Sequence, residues 1–135
     1  MLLELLLEVF SIRIRIKGYL ENITENTKEI IDVIGIKNKE TIKYLNNDTS
    51  YKIIINNHKI TMIRENKNFI HKFIFEEEKE HETNYYIKEY NTELNINIIT
   101  NNLNVSENKI EITYKIIDSN EKYKYLIEMR KELWV

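Results

Sequence analysis

Ile12-Arg13-Ile14-Arg15-Ile16-Lys17 alternates an isoleucine with a cation over six residues, the pattern of a strand with one buried and one wet face. A helix would scatter these isoleucines around its circumference. Isoleucine is also β-branched, and alanine, the best helix former, is absent from the chain. The same period recurs downstream and predicts further strands over about 28 to 38, 41 to 46, 50 to 56, 59 to 65, 69 to 77, 82 to 90, 93 to 105, 109 to 118 and 122 to 133. That spacing is the rhythm of an antiparallel all-β domain.

Ahead of this strand lies MLLELLLEVF, Met1 to Phe10, the most apolar stretch of the chain. It is too short for a bilayer, carries Glu4 and Glu8, and has no basic residue before its apolar run, so neither a membrane span nor a cleaved signal is expected. Glu4 and Glu8 would share one helical face. A short helical or extended plug is the expectation for residues 1 to 10; a partner-binding or oligomerisation segment is the alternative.

The chain has 135 residues, which bounds it to one domain over residues 1 to 135. Its 20 basic and 22 acidic side chains leave a net charge of −2, which offers no field to gather nucleic acid or an anionic membrane. The absence of cysteine removes thiol chemistry, and two glycines cannot build a P-loop, a dinucleotide fingerprint or a nucleophile elbow. No enzyme activity, cofactor or metal is therefore expected. With no signal, lipidation motif or span in view, a bacterial cytoplasm is the expected location. The 25 isoleucines, 18 asparagines and 16 lysines all have AT-rich codons, so much of the bias reads as genomic drift. The asparagines are interleaved with isoleucines at regular spacing, unlike a low-complexity tract, so the chain reads as folded throughout.

Turns must be made almost without glycine. Asn46-Asn47-Asp48, Asn56-Asn57, Asn66, Asn101-Asn102, Asn108 and Asn120 sit between the periodic runs, and asparagine is the residue after glycine that best tolerates positive φ. The absence of proline leaves an N–H at every position to donate to a ladder, as a closed sheet needs. About ten antiparallel strands in an open sheet would leave two exposed edges, and closure removes them. A barrel of about eight to ten strands is either filled by side chains or just wide enough for one small ligand. Taking the more apolar face of each strand turns inward Ile12, Ile14, Ile16; Tyr51, Ile53, Ile55; Ile60, Met62, Arg64; Phe69, His71, Phe73, Phe75; Leu94, Ile96, Ile98; Ile110, Ile112, Tyr114, Ile116; and Tyr123, Tyr125, Ile127, Met129.

The segments Ile60 to Asn66, Phe69 to Phe75, Leu94 to Thr100 and Asn108 to Tyr114, in that order, resemble the YwiB-like family. This is an uncharacterised group of small bacterial proteins with a calycin-like, or lipocalin-like, β-barrel. The resemblance runs from about Ile12 to the C-terminus and implies that fold without implying an activity. The family has a glycine two residues after its arginine, where this chain has Asn66 after Arg64, and a glycine before its I-x-I-x-Y strand, where this chain has Asn108. It also has a glycine before its L-x-L-x-I-x-T strand, where this chain reads Tyr90-Asn91-Thr92.

Arg64 is the only basic residue on the inner face of its strand. A buried guanidinium must be paired or bind an anion, so it either serves the structure or holds a ligand carboxylate. Tyr114 and Tyr125 share that inner face and either fill space or reach a ligand. His71, between Phe69 and Phe73, reads as a satisfied core residue or a further ligand contact. His81 lies in a solvated acidic strand end, and His58 in a turn. Trp134 either stacks on Arg130 or Arg13, or packs with the leucine-rich start to close one mouth. These readings converge on a non-enzymatic barrel that binds a small apolar or amphipathic anionic ligand through Arg64, Tyr114, Tyr125 and His71, with no nucleic-acid or membrane partner. The alternative is a side-chain-filled barrel acting as a protein-interaction module or homodimer.

Overall fold

A computed structural model describes residues 11 to 132; the expected N-terminal plug and Trp134 lie outside the described residues. Ten strands follow one another: β1 (Ile12–Asn22), β2 (Thr27–Asn38), β3 (Thr41–Asn46), β4 (Thr49–Asn56), β5 (Lys59–Glu65), β6 (Phe69–Glu76), β7 (Glu80–Ile87), β8 (Thr92–Ser106), β9 (Lys109–Ile116) and β10 (Lys122–Lys131). Each pairs antiparallel with its chain neighbour, and β1 also pairs with β10, so the sheet closes into a barrel. Among the described residues no helix is long and apolar enough to cross a membrane.

The alternation places the core where the period points. Ile14, Ile16, Ile53, Ile60, Met62, Phe73, Phe75, Ile98, Ile110, Ile112, Ile127 and Met129 are all buried. Ile12 and Leu94 share the inward phase but are 40% and 46% exposed, because they lie near strand ends where the wall no longer covers them. Strands β2, β3 and β7 add Ile31, Ile42, Tyr44 and Thr83 to the interior.

Asparagine does replace glycine in the turns, by more than one route. Of eight non-glycine residues with positive φ among the described residues, five are asparagines: Asn26, Asn47, Asn57, Asn91 and Asn120. Asn47 and Asp48 are both left-handed, which gives the β3–β4 hairpin the twist its strands require. Asn66 works through its side chain, whose Oδ1 accepts from the amides of Asn68 and Phe69 at 2.8 and 3.1 Å. Asn101-Asn102 makes no turn; it lies inside the expected strand over 93 to 105, and β8 continues through it with a bulge between Thr100 and Asn102. The extra residue shifts the inward phase from Ile98 and Thr100 to Leu103, opposite the buried Ile112.

Neither glycine has positive φ. Both serve close approach instead. A Cβ on Gly18 would stand 1.8 Å from the Leu126 carbonyl oxygen, and one on Gly35 would meet the Ile16 Cδ1 at 2.6 Å and the Lys43 oxygen at 2.7 Å.

The barrel has two rims. The upper rim carries the β1–β2, β3–β4, β5–β6, β7–β8 and β9–β10 hairpins; the lower rim carries the other hairpins and the start of β1 beside the end of β10, where the Glu132 amide donates to the Arg13 carbonyl at 2.9 Å. The wall is not continuous. β2 and β3 pair only through Ile36–Lys43, Lys37–Ile42 and Asn38–Thr41, so no ladder joins Ile30 to Gly35 with Tyr44 to Asn46 above them. The Asn46 side chain spans this seam, donating to the Ile30 carbonyl at 3.2 Å.

Candidate functional site

Arg64 occupies the upper end of β5, in register with Tyr51 on β4 and His71 on β6. Its guanidinium carbon lies 5.4 Å from the Tyr51 ring centre and 5.6 Å from that of Phe69. This is cation–π range, and the aromatic faces partly replace lost hydration. Its Nε is buried without a hydrogen-bond partner. Among the described residues Arg64 makes no salt bridge. Glu29, on the inner side of β2, is already engaged: its Oε2 accepts from Asn46 Nδ2 at 2.9 Å and from the Tyr51 hydroxyl at 3.1 Å.

A cavity of about 90 Å³ lies beside this guanidinium. Its polar lining is Arg64, His71, Thr83, Tyr114 and Tyr123, and its apolar lining includes Leu20, Ile96 and Ile116. A wider basin of about 380 Å³ at the upper rim shares Leu20, Arg64 and Tyr123 with it and adds Asn22, Thr27 and Glu29. The cavity holds about three water volumes, far below the ~300 Å³ at which organic-ligand pockets begin. Rings crowd the interior around it: Tyr44 stacks on Tyr51 at 4.6 Å, Phe73 on Phe75 at 5.4 Å, and Phe75 packs on Tyr114 at 5.0 Å. The space in this barrel is therefore at its mouth.

The four residues singled out in the sequence fall into two places. Arg64, His71 and Tyr114 line the cavity together. Tyr125 does not; it is fully buried, and its hydroxyl is hydrogen-bonded to that of Tyr44 at 2.7 Å. Burial raises the Tyr114 phenol well above its ordinary value, and its hydroxyl meets no protein hydrogen-bond partner among the described residues. His71 Nε2 lies 3.3 Å from the Thr83 hydroxyl, with its ring against Phe73 at 3.8 Å and edge-on to Tyr85 at 4.8 Å. Burial, and secondarily the Arg64 charge, push its pKa down to about 3. At neutral pH His71 is an uncharged imidazole.

Tyr123 joins this group although its residue type gave no reason to prefer it over eight other tyrosines. Its hydroxyl donates to Glu121 Oε2 at 2.6 Å and accepts from Asn22 Nδ2 at 3.3 Å, and burial and then the Glu121 carboxylate push its pKa up to about 12. Thr83 escaped notice because the inner side of β7 has too few apolar residues to announce itself. His81 stands apart at the lower end, on Glu76 Oε1 at 3.0 Å. Hydrogen bonds from His81 and Lys79 hold the Glu76 carboxyl below its usual range. Among the described residues no group of three histidine, aspartate or glutamate side chains is placed to hold a metal ion.

The chain is similar in fold to the ywiB protein of Bacillus subtilis. The crystal structure of that protein superposes with a TM-score of 0.62 over 92% of this chain and 93% of its own, at 13% sequence identity. No protein-family model and no curated protein matches the chain. At this identity the likeness to ywiB concerns the fold alone.

Proposed function

We propose that this barrel is a non-enzymatic binder of small amphipathic carboxylates, held head-first at its upper mouth in a bacterial cytoplasm. The observation that carries the reading is Arg64: a half-buried guanidinium with an orphan Nε, no acidic partner among the described residues, and a cavity beside it. A carboxylate head would pair with Arg64 and take a hydrogen bond from Tyr114. A short chain would lie against Leu20, Ile96 and Ile116, and anything longer would extend into the basin. Interior binding of this kind is what a calycin-like barrel implies. Burial keeps His71 an uncharged imidazole at neutral pH and raises the Tyr114 phenol, which supports a binding rather than a proton-transfer role for these two groups. The test is an NMR titration with acetate, butanoate and hexanoate against the matching alcohols. Saturable shifts at Leu20, Thr83 and Tyr114 for the acids alone, lost in Arg64→Met, are expected. Equal responses to acids and alcohols, or none at millimolar concentrations, would sink the proposal.

The seam between β2 and β3 favours a second reading, a homo-oligomer. Ile30, Ile36 and Leu45 flank it and are exposed by 63%, 52% and 60%, so the interrupted edge of β2 is bordered by apolar side chains that a second copy could cover. Light scattering that reports a monomer at every concentration would exclude it.

A further inference from the structure

On the outer wall toward the lower rim, Arg15 of β1 stands directly opposite Arg130 of β10 in the ladder. Like charges in register repel, and sheets normally avoid the arrangement. Lys17 follows on the same face of β1, and Lys109 arrives from the β8–β9 hairpin; with Asn108 and Glu128 these residues line a groove of about 480 Å³. The lining thus holds four cations and Glu128, which stands opposite both Lys17 and Lys109 in the ladders, while Asp32 and Glu111 border it. Arg130 is the cation that faces no carboxylate across a strand pair, in a chain whose net charge is −2. The concentration of positive charge is local.

The cations are incompletely used within the fold. Arg15 bonds Asp32 Oδ1 through Nη1 at 3.2 Å, yet its Nε is buried without a partner. Lys109 lies 3.5 Å from Glu111. Arg130 and Lys17 make no salt bridge among the described residues.

We propose that this groove is a phosphate site that takes the phosphoryl group of a small phosphomonoester between Arg15 and Arg130. A dianion neutralises both members of the repelling pair, where a carboxylate neutralises one. Guanidinium forks match the oxygens of a phosphoryl group bidentately. The groove is larger than a bare phosphate, so the organic body lies along Asn108 and Lys109. The site shares no residue with the Arg64 cavity.

The experiment uses the full chain with inorganic phosphate, glycerol 1-phosphate, a ten-nucleotide single-stranded RNA, and sodium chloride at matched ionic strength, read by amide NMR shifts and thermal midpoint. The expected result is saturable shifts at Arg15, Lys109 and Arg130, with the ester tighter than inorganic phosphate. Arg130→Gln weakens ester binding about tenfold, the magnitude of one charge-assisted contact. In chloride alone the same substitution leaves the thermal midpoint unchanged or higher, because it removes a repulsion. Lys109→Gln, at the exposed start of β9, gives an independent loss of ester affinity. A response equal to that of chloride, binding indifferent to both substitutions, or RNA bound more tightly than the ester would each overturn the proposal.

Discussion

The hydroxyls of Tyr44 and Tyr125, 81 residues apart in sequence, meet at 2.7 Å inside the barrel. Both rings are buried, and Tyr44 also stacks on Tyr51. The pair ties β3 to β10 through the interior, with the two hydroxyls engaged on each other. Tyr125→Phe is expected to lower stability by about 1–3 kcal/mol, since it strands the Tyr44 hydroxyl away from water. Tyr44→Phe with Tyr125→Phe recovers much of that loss, because neither partner is then left unsatisfied. Urea unfolding of the two single variants and the double variant measures the coupling.

His71 gives the fold a pH dependence whose sign is fixed. Unfolded, its imidazole titrates near 6.5; folded, it stays neutral until about 3. Between those values the unfolded chain binds the extra proton, so stability falls as pH drops from about 6.5 toward 3, at up to about 1.4 kcal/mol per pH unit from this group. Denaturant midpoints at pH 7 and pH 4.5 should separate less in His71→Phe than in the parent. An identical separation would mean the ring is charged or exposed in the native state.

Arg64→Met is expected to leave stability unchanged or raise it by up to about 1 kcal/mol, since a buried orphan Nε is exchanged for a flexible apolar chain among Tyr51 and Phe69. Because the Arg64 charge is the lesser cause of the His71 shift, the imidazole pKa measured by NMR rises in this variant but stays below its ordinary value. A large loss of stability would assign Arg64 to the structure rather than to a ligand.

Backbone conformation supplies a contrasting pair. Glu78 holds φ at 62°, so Glu78→Gly should stabilise the protein by about 1 kcal/mol. Gly18→Ala would drive a Cβ into the Leu126 carbonyl in the middle of the β1–β10 ladder, and more than about 3 kcal/mol of destabilisation is expected. Thermal unfolding of both variants tests the pair, and a stable Gly18→Ala protein would show that the two strands can part without loss.

The strands could be read from the sequence because isoleucine and charge alternate through most of them, and no proline interrupts the ladders. The inner faces of β2, β3 and β7 could not, since Glu29, Asn46 and Thr83 blur the phase there. The bulge at Asn101 was hidden because asparagine marks turns and bulges alike. Of the site, Arg64 was visible as a cation in an apolar phase, and His71 and Tyr114 as polar members of that phase. Tyr123 and Tyr125 are identical in type and two residues apart, so only their depth separates a cavity wall from a core hydrogen bond. Depth is a property of the closed barrel, which a strand period does not encode.

The ladder from β1 to β10 joins Asn22 to Tyr123 and Ile14 to Lys131, which makes the last strand of this barrel to leave the ribosome the partner of its first. On the ribosome, nine strands can form hairpins in sequence while the interior stays open to water, and closure waits for the tenth. Such distant pairing slows folding and prolongs exposure of strand edges. Truncation near the C-terminus should therefore yield an aggregating chain, even though each of the first nine strands is intact.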